Sequence, residues 1–357
     1  MKKRILITGG AGFVGSNLAV SFKKKYPGTE VTALDNLKRR GSELNLARLA
    51  GQGVDFVHGD VRDPGDLAVD GDPPEVIIEC SAEPSVLAGF DSGPGYVVNT
   101  NLLGAFNCLE AARRWNADVL FLSTSRVYPV EKLNSVNFTA EETRFELARE
   151  QTIPGVSALG ITPEFPLAGH RTLYGATKLA AELLIEEYGY MYGLRAVINR
   201  CGVIAGPWQF ARVDQGVFTH WLGSHYFKKP LAYFGYDGSG KQVRDLLHVD
   251  DLFELIDLQV ENIARMDRSV FNVGGGPGIS LSLAETTELC ANITGNKTEV
   301  RGKSGRRAAD IPIYLSDNSG VNDATGWLPK KGPVEILSDI FNWIRSNESH
   351  VRNTLFP

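Results

Sequence analysis

Cysteine is scarce in this chain of 357 residues, and the four that occur lie far apart. Cys80, Cys108, Cys201 and Cys290 form no Cys-x-x-Cys pair, which favours free thiols in a reducing cytoplasm over the disulfides of a secreted protein. No apolar stretch reaches the roughly 18 residues that a membrane-spanning helix needs. The apolar run after the basic residues 2–4 has only three residues, too few for the core of a signal peptide. The sequence therefore predicts a cytoplasmic globular protein.

A large excess of one charge is missing as well. The formal net charge is −5, so nothing indicates a general affinity for nucleic acid or for an anionic membrane. The six histidines show no spacing typical of a metal site, and we predict no bound metal. What the chain does have is a hydrophobic content of 43%, enough to bury a sizeable core in two domains or in one large domain with lobes.

The glycine-rich segment near the N-terminus is typical of a dinucleotide site. Residues 4–8 form a short apolar strand, and a helical stretch follows the glycines from Ser16 onward. Glycine allows a tight turn, a close approach of backbone to pyrophosphate, and close packing of the helix on the strand. The helix N-terminus then offers free N–H groups to the phosphates. We predict that the cofactor is bound by Gly9, Gly12, Phe13, Val14 and Gly15.

A carboxylate at the end of the second predicted strand bears on the choice of cofactor. Val31–Leu34 is followed by Asp35, 20 residues after Gly15. A carboxylate there accepts hydrogen bonds from the adenosine ribose and repels a 2′-phosphate, which favours NAD over NADP. Arg39 and Arg40 follow closely and could bind a 2′-phosphate instead, so NADP stays an alternative. Asn36 is also expected to bind the cofactor.

Strands and helices alternate through the first two hundred residues. The further predicted strands are 54–58, 76–80, 119–123 and 196–200, with helices near 97–114 and 173–192. This order indicates an α/β fold, a Rossmann-type doubly wound parallel sheet whose ligand lies beyond the carboxyl ends of the strands. Asp60 and Val61 follow the third strand and are expected near the adenine.

The same pattern suggests two domains. We assign residues 1–200, with about 245–272, to an NAD-binding Rossmann domain. Residues 201–244 and 273–357, where the elements are shorter and richer in glycine, would form a smaller C-terminal α/β lobe that binds the substrate. The polar, proline-containing segment 128–170 is irregular, and long irregular stretches are usually functional or disordered.

Two segments carry a tyrosine and a lysine at the spacing of one helical turn. Tyr174 and Lys178 begin a helical stretch, which puts the phenol and the ammonium on the same face. A nearby cation stabilises phenolate, so Lys178 would lower the pKa of Tyr174 toward the range of a general base. Tyr128 and Lys132 have the same spacing, although Pro129 biases Tyr128 away from helical geometry. The spacing alone does not choose between the two pairs.

The strand end 121–128, Phe-Leu-Ser-Thr-Ser-Arg-Val-Tyr, completes a recognisable set. Together with the glycine loop, Asp35 and Tyr174-x-x-x-Lys178, it resembles the extended short-chain dehydrogenase/reductase family of nucleotide-sugar epimerases and dehydratases, over essentially the whole chain. The resemblance implies that Thr124 is the catalytic hydroxyl residue and that Tyr174 and Lys178, which follow this strand end on a helix, are the catalytic pair rather than Tyr128. It also implies that Asn101 and Ser123 lie beside the cofactor.

The residues after Thr124 bear on the reaction. In the 4,6-dehydratases of this family an Asp-Glu pair stands there and eliminates water, whereas this chain has Ser125 and Arg126. Arginine stays protonated and cannot act as a general base. The resemblance therefore implies transient oxidation at one sugar carbon: Tyr174 takes a hydroxyl proton while hydride passes to NAD and later returns. Ser125 and Arg126 are expected to contact the sugar.

Two further strings, 208–216 and 238–248, are similar to the CDP-paratose 2-epimerase branch, which implies epimerisation at C2 of a CDP-linked hexose. The alternatives are a 4-epimerase, a net dehydrogenase and a non-catalytic NAD sensor on the same fold. A homodimer is expected through the helices that contain Asn101 and Tyr174. Glu83 departs from the family pattern at the end of the fourth strand. Further expected substrate contacts are Asn199, Gln209, Asp214, Gln215, Arg244 and Arg307.

Overall fold

The structure is a computed structural model that describes residues 3–68, 71–90, 93–210, 215–305 and 309–356. Its strands, in chain order, are β1 Arg4–Thr8, β2 Glu30–Asp35, β3 Asp55–His58, β4 Val76–Glu79, β5 Asp118–Thr124, β6 Phe138–Ala140, β7 Phe145–Leu147, β8 Val156–Ser157, β9 Gly160–Ile161, β10 Ala196–Cys201, β11 Val203–Ala205, β12 Leu231–Phe234, β13 Val243–His248, β14 Ser269–Val273, β15 Ser280–Ser282, β16 Val300–Lys303 and β17 Ile313–Tyr314.

The helices occupy the intervening segments. In chain order they are α1 Phe13–Lys25, α2 Asn45–Gly51, α3 Gly95–Val98, α4 Gly104–Trp115, α5 Val130–Leu133, α6 Leu173–Tyr192, α7 Val217–Tyr226, α8 Val249–Asn262, α9 Leu283–Thr294, α10 Ser319–Thr325, α11 Pro333–Ser346 and α12 Glu348–Leu355. A π-helical segment, Asn99–Leu103, leads into α4. Within the described ranges, no helix is both long and apolar enough to cross a membrane.

One seven-stranded sheet has the order β14-β10-β5-β4-β1-β2-β3. Strand β1 pairs in parallel with both β2 and β4, β2 with β3, and β4 with β5. The order reverses direction at β1, as in Rossmann folds, where the ligand lies at this switch point. Strands β4 and β5 are buried along their whole length, as expected when helices cover both faces of a parallel sheet. The predicted doubly wound α/β fold is confirmed.

The chain divides into two compact units. The first comprises residues 1–127, 173–200 and 252–271, and the second comprises 128–172, 201–251 and 272–357. The predicted boundaries differ in two places, because the segment 128–172 and residues 245–251 belong to the second unit. Tyr128 explains the first difference: its ring packs 5.3 Å from that of Phe165 and 6.3 Å from that of Tyr314, all within the second unit. The second unit is therefore larger than predicted.

The core of the first unit joins the central strands to two helices. Leu109 of α4, Phe121 of β5 and Ile185 of α6 lie in one cluster of buried apolar side chains. Burial of this kind is the main favourable term in folding, at about 25 cal/mol for each Å² of apolar surface removed from water. Helix α6, which carries Tyr174, is thereby held against β5 of the sheet.

The second unit is built on a small mixed sheet. Strand β13 pairs in parallel with β11 and β17 and antiparallel with β15. Short two-stranded ladders join β12 to β16, β6 to β7 and β8 to β9. Helix α9 begins with a capping box in which Ser282 and Glu285 bond each other's backbone N–H, satisfying donors that a helix start leaves open.

Candidate active site

The glycine loop has the shape that a dinucleotide pyrophosphate requires. Gly9 has a φ of 63°, a left-handed conformation that favours glycine. A Cβ added to Gly15 would lie 2.3 Å from the carbonyl oxygen of Gly9, and one added to Gly12 would lie 3.0 Å from it. Gly12 is the N-cap of α1 and no acidic residue stands in the first turn, so the helix N-terminus is suited to an anion. Phe13 and Val14 form that first turn, half-buried.

Asp35 lies at the end of β2, where it supports the glycine loop. One carboxylate oxygen accepts a hydrogen bond from the N–H of Ala11 at 3.1 Å, and the other accepts one from the N–H of Leu37 at 2.8 Å. Burial raises the pKa of this carboxyl above its usual range, although the N–H donors oppose the change. An acceptor pair at this position fits the ribose hydroxyls of NAD. The loop and Asp35 together therefore fit the cofactor.

The residues expected near the adenine form a polar group beside Asp35. Asn36 donates a hydrogen bond to Asp60 at 2.8 Å, and Arg62 forms an ion pair with Asp60 at 2.6 Å. Hydrogen bonds from Arg62 are the main cause of a pKa for Asp60 well below its usual range. Val61 is 4% exposed and belongs to the apolar core, and its carbonyl accepts a hydrogen bond from Asn107. Its side chain therefore packs in the core, and its place beside the adenine stays a prediction.

Tyr174 and Lys178 lie one turn apart at the start of α6, in the first unit. Tyr174 is half-buried, and within the described residues its hydroxyl has no hydrogen-bond partner. Lys178 is 2% exposed. Its Nζ lies 3.3 Å from Oε2 of Glu79 and 4.3 Å from the ring centroid of Phe121. A partly exposed phenol can reach a substrate, and a buried cation nearby stabilises its phenolate form. The arrangement therefore suits a tyrosine that exchanges protons.

Thr124 lies at the carboxyl end of β5. It is the last residue of β5 and 7% exposed, and its hydroxyl oxygen accepts a hydrogen bond from the N–H of Arg126 at 3.2 Å. Ser125 and Arg126 are half-buried and lie in the 3₁₀ turn that follows. Helix α6 packs against this turn. The structure therefore places Thr124, the turn and the Tyr174/Lys178 pair in one neighbourhood.

Buried polar contacts hold α6 against the sheet. Ser123 donates a hydrogen bond to Glu182, which also forms an ion pair with Arg200 at 2.7 Å. Asn101 donates to the hydroxyl of Thr177 at 3.3 Å and accepts from the N–H of Glu83 at 2.8 Å. Ser123 and Asn101, which we predicted beside the cofactor, thus fix the helix that carries the pair.

The other Tyr-x-x-x-Lys segment has a different environment. Tyr128 is 1% exposed, and its hydroxyl donates a hydrogen bond to Asn272 at 2.7 Å. It lies before α5, which begins only after Pro129, so Tyr128 and Lys132 do not share a helical face. This segment is a structural part of the second unit.

Asn199 corrects another prediction. It is fully buried on β10, and its amide exchanges two hydrogen bonds with the amide of Gln259, at 2.7 and 2.9 Å. Both side chains lie in the first unit. Burying an amide is costly unless it is hydrogen-bonded, and this pairing makes Asn199 a core residue rather than a ligand of the substrate.

The remaining predicted substrate residues belong to the second unit. Arg244 has a side chain 16% exposed, lies 3.7 Å from Asp310, and donates to the carbonyl of Ile311 at 2.8 Å. Gln209 donates to the carbonyl of Ile204 at 3.0 Å and accepts from Thr219 at 2.9 Å. Gln215 is half-buried just before α7. Asp214 and Arg307 lie outside the described residues.

Sequence reasoning missed Glu79. It ends β4, is 2% exposed, and contacts the proposed catalytic lysine. The signal was present, because a charged residue directly follows the apolar run 76–78, and a charge that continues a buried strand requires a partner. The sequence could not name that partner, which lies 99 residues away.

Comparisons with known proteins agree with this geometry. The profile of the NAD dependent epimerase/dehydratase family matches residues 5–274. The CDP-paratose 2-epimerase of Salmonella typhi is 30% identical, with 96% of this chain and 99% of that protein covered. A dTDP-glucose 4,6-dehydratase of Mycolicibacterium smegmatis is 29% identical, with 97% and 94% covered. The structure of a Thermus thermophilus UDP-glucose 4-epimerase in complex with NAD matches with a TM-score of 0.76 and 26% identity, with 96% and 99% covered.

The similarity to these proteins extends over nearly the whole chain. It therefore includes the glycine loop, Asp35 and the Tyr174/Lys178 pair. The Rossmann-type sheet, the glycine loop and the matched family all indicate a protein that binds NAD. The chain belongs to the NAD-dependent epimerase/dehydratase family and uses NAD as its cofactor.

Proposed function

We propose that this protein is a nucleotide-sugar epimerase that inverts C2 of a CDP-linked hexose and leaves no net change in the oxidation state of NAD. The observation that carries the proposal is the neighbourhood of Thr124, Tyr174 and Lys178 at the carboxyl end of the sheet, with Ser125 and Arg126 next in the chain. The similarity to a CDP-paratose 2-epimerase supports the choice of nucleotide and carbon.

In this proposal the chain moves a proton and holds the sugar. The Tyr174 phenolate takes the proton of the sugar hydroxyl, and the buried Lys178 ammonium stabilises the phenolate. The Thr124 hydroxyl hydrogen-bonds the same sugar oxygen. NAD, when bound, supplies hydride chemistry at the carbon that bears this hydroxyl. Tyr174 later returns its proton to the sugar, so the protein ends the cycle in its starting state.

The turn after Thr124 argues against elimination of water, the reaction named for several relatives. Elimination needs an acid and a base beside the oxidised sugar. Ser125 is not ionised, and Arg126 stays protonated at neutral pH. Both side chains are half-buried, and because neither can serve as the base, we propose that they hydrogen-bond the sugar.

We further propose that the second unit binds the CDP group. Arg244 supplies a partly exposed guanidinium, held by the carbonyl of Ile311, and guanidinium is well matched to phosphate oxygens. Arg307, Gln209, Asp214 and Gln215 are the other proposed contacts. An Arg244→Lys variant keeps the charge and loses the planar fork, so KM for the nucleotide sugar should rise while kcat changes little.

The test of the function is incubation of the purified protein with CDP-glucose or CDP-paratose, followed by proton NMR of the sugar ring. A product inverted at C2 without added NAD supports the proposal. Inversion at C4 would make the protein a 4-epimerase, accumulation of NADH a dehydrogenase, and loss of the C6 hydroxyl a dehydratase. Bound NAD with no turnover of any nucleotide sugar would favour an NAD sensor. Each of these results contradicts C2 epimerisation.

A homodimer and a cytoplasmic location are also proposed. Exposed apolar side chains lie on the first unit around α4 and α6, among them Leu103, Phe106 and Leu183, which are 42%, 39% and 57% exposed. A second copy of the chain would cover them. Light scattering should give the mass of a dimer, and Leu183→Glu should give the mass of a monomer. The four cysteines are free thiols, as a reducing compartment requires.

A further inference from the structure

Glu79 places a carboxylate inside the parallel sheet. It ends β4, pairs in register with Thr8 of β1 and Phe121 of β5, and is 2% exposed. Burial disfavours the charged form and raises the pKa of this carboxyl. The rest of the strand is valine and isoleucine, and a buried carboxylate among them is costly unless a neighbouring group compensates its charge.

That group is Lys178. Its Nζ lies 3.3 Å from Oε2 of Glu79, and the two side chains are 3% and 2% exposed. The Phe121 ring lies 4.3 Å from the same Nζ, and an aromatic face attracts a cation. An ammonium has three N–H donors, and the contact with Glu79 engages one of them. The carboxylate and the ring together fix where the ammonium sits.

The other ionisable groups around this pair are few among the described residues. The Cys108 thiol on α4 is 1% exposed, and its pKa is raised well above the ordinary value, first by burial and then by the charge of Glu79. One turn beyond Lys178 on α6, Glu182 is already paired with Arg200. Tyr174 lies one turn before Lys178. Glu79 is therefore the anion in direct contact with Lys178.

We propose that Glu79 is a positioning residue that holds the Lys178 ammonium in place and keeps it charged while Tyr174 exchanges protons. This inference rests on the proposed roles of Tyr174 and Lys178. Without an anion, burial favours the neutral amine of a lysine. A neutral amine would no longer stabilise phenolate, so Glu79 would extend the activity of the Tyr174/Lys178 pair to higher pH.

The experiment compares Lys178 in the native protein and in Glu79→Gln, which removes the charge and nearly keeps the shape. Lysine labelled with carbon-13 at Cε is followed by NMR from neutral to alkaline pH, and the Lys178 signal is assigned by its absence in Lys178→Met. The midpoint for Lys178 should fall by roughly one to three pH units in Glu79→Gln. An unchanged midpoint in the folded variant would overturn the proposal.

Asp118→Asn is the matched control. Asp118 is also buried, lies in the same sheet at the amino end of β5, and forms an ion pair with Arg195 at 2.7 Å. This variant should lose stability and leave the Lys178 midpoint unchanged. If Glu79→Gln does not fold, Glu79→Asp retracts the carboxylate by one methylene, and its Lys178 midpoint must still lie below that of the native protein for the inference to stand.

Activity separates this inference from the proposed function. If CDP-sugar epimerisation is found, the alkaline limb of kcat/KM should move to lower pH in Glu79→Gln by the same amount as the NMR midpoint, with no such movement in Asp118→Asn. If the native protein turns over no nucleotide sugar while the NMR midpoint still falls, the proposed function fails and the positioning role of Glu79 stands.

Discussion

The two Tyr-x-x-x-Lys segments of this protein have the same spacing and opposite environments. Tyr174 is half-buried with Lys178 completely enclosed behind it, whereas Tyr128 is completely enclosed with Lys132 only half-buried. At 174–178 the buried member is the cation, which is held by Glu79. At 128–132 the buried member is the phenol, which is held by Asn272. Burial of the cation favours chemistry at the phenol, and burial of the phenol favours packing.

The largest expected difference between the two segments is in turnover after each hydroxyl is removed. Tyr174→Phe should lower kcat for the nucleotide sugar by about 10²- to 10⁴-fold, the usual contribution of a general acid–base residue. Tyr128→Phe should leave kcat within about twofold, since that hydroxyl donates only into the second unit. Equal losses in the two variants would contradict the assignment of Tyr174 as the base.

Removal of each ammonium tests the second half of the comparison. Lys178→Met leaves Glu79 buried without its cation, and breaking a buried ion pair in this way should lower the free energy of unfolding by about 3 kcal/mol. Lys132→Met should change it by less than about 0.5 kcal/mol. Urea unfolding of both variants, followed by circular dichroism, checks the difference. Similar midpoints would mean that the Lys178–Glu79 contact contributes nothing to stability.

The same variant has a predicted pH dependence. The folded-state pKa of Glu79 is already raised by burial above an ordinary value of 4.5, and loss of Lys178 should raise it further. A raised carboxyl pKa costs stability as the pH rises above the unfolded value, and the cost vanishes below it. The deficit of Lys178→Met should therefore be largest near pH 7 and shrink toward pH 4. A deficit that is constant with pH would point to lost packing instead.

The smallest predicted effect is the change in the free energy of unfolding when either tyrosine hydroxyl is removed. Tyr128→Phe removes the donor to Asn272 and should cost about 1 kcal/mol of unfolding free energy. Tyr174→Phe should cost less than about 0.5 kcal/mol, because its hydroxyl has no partner among the described residues. Thermal unfolding of the two variants in the absence of substrate gives the comparison, and a reversed order would contradict the assigned environments.

Much of the fold and part of the site could be predicted from local patterns. The glycines before α1, the carboxylate at the end of β2 and the alternation of strands with helices each follow from short-range requirements of the backbone. The segment 128–172 was harder to assign, because its place in the second unit depends on the Tyr128 ring and its contacts with Phe165 and Tyr314. Those contacts span large sequence separations that no periodicity reveals.

The site residues also divide into those predicted from the sequence and those that only the tertiary contacts placed. The family resemblance implied Thr124 and chose Tyr174 and Lys178 over the other pair. Asn199, predicted to contact the substrate, and Val61, predicted near the adenine, have side chains buried in the core. A side chain within a strand, like Asn199, or just after one, like Val61, can face the core or a ligand, and the elements packed against it decide which. Gln259 on α8 decided it for Asn199, and the core under α4 decided it for Val61.

The sequence by itself determined the glycine turn, the start of α1 and the carboxylate at the end of β2, because each is made by residues close together in the chain. The tertiary structure alone decided which tyrosine has a buried cation behind it, and which anion holds that cation. Glu79 and Lys178 meet across 99 residues because α6 packs against β5, the strand that pairs with β4. Charge acts through space, so its effect on a proton depends on distance and burial rather than on order along the chain.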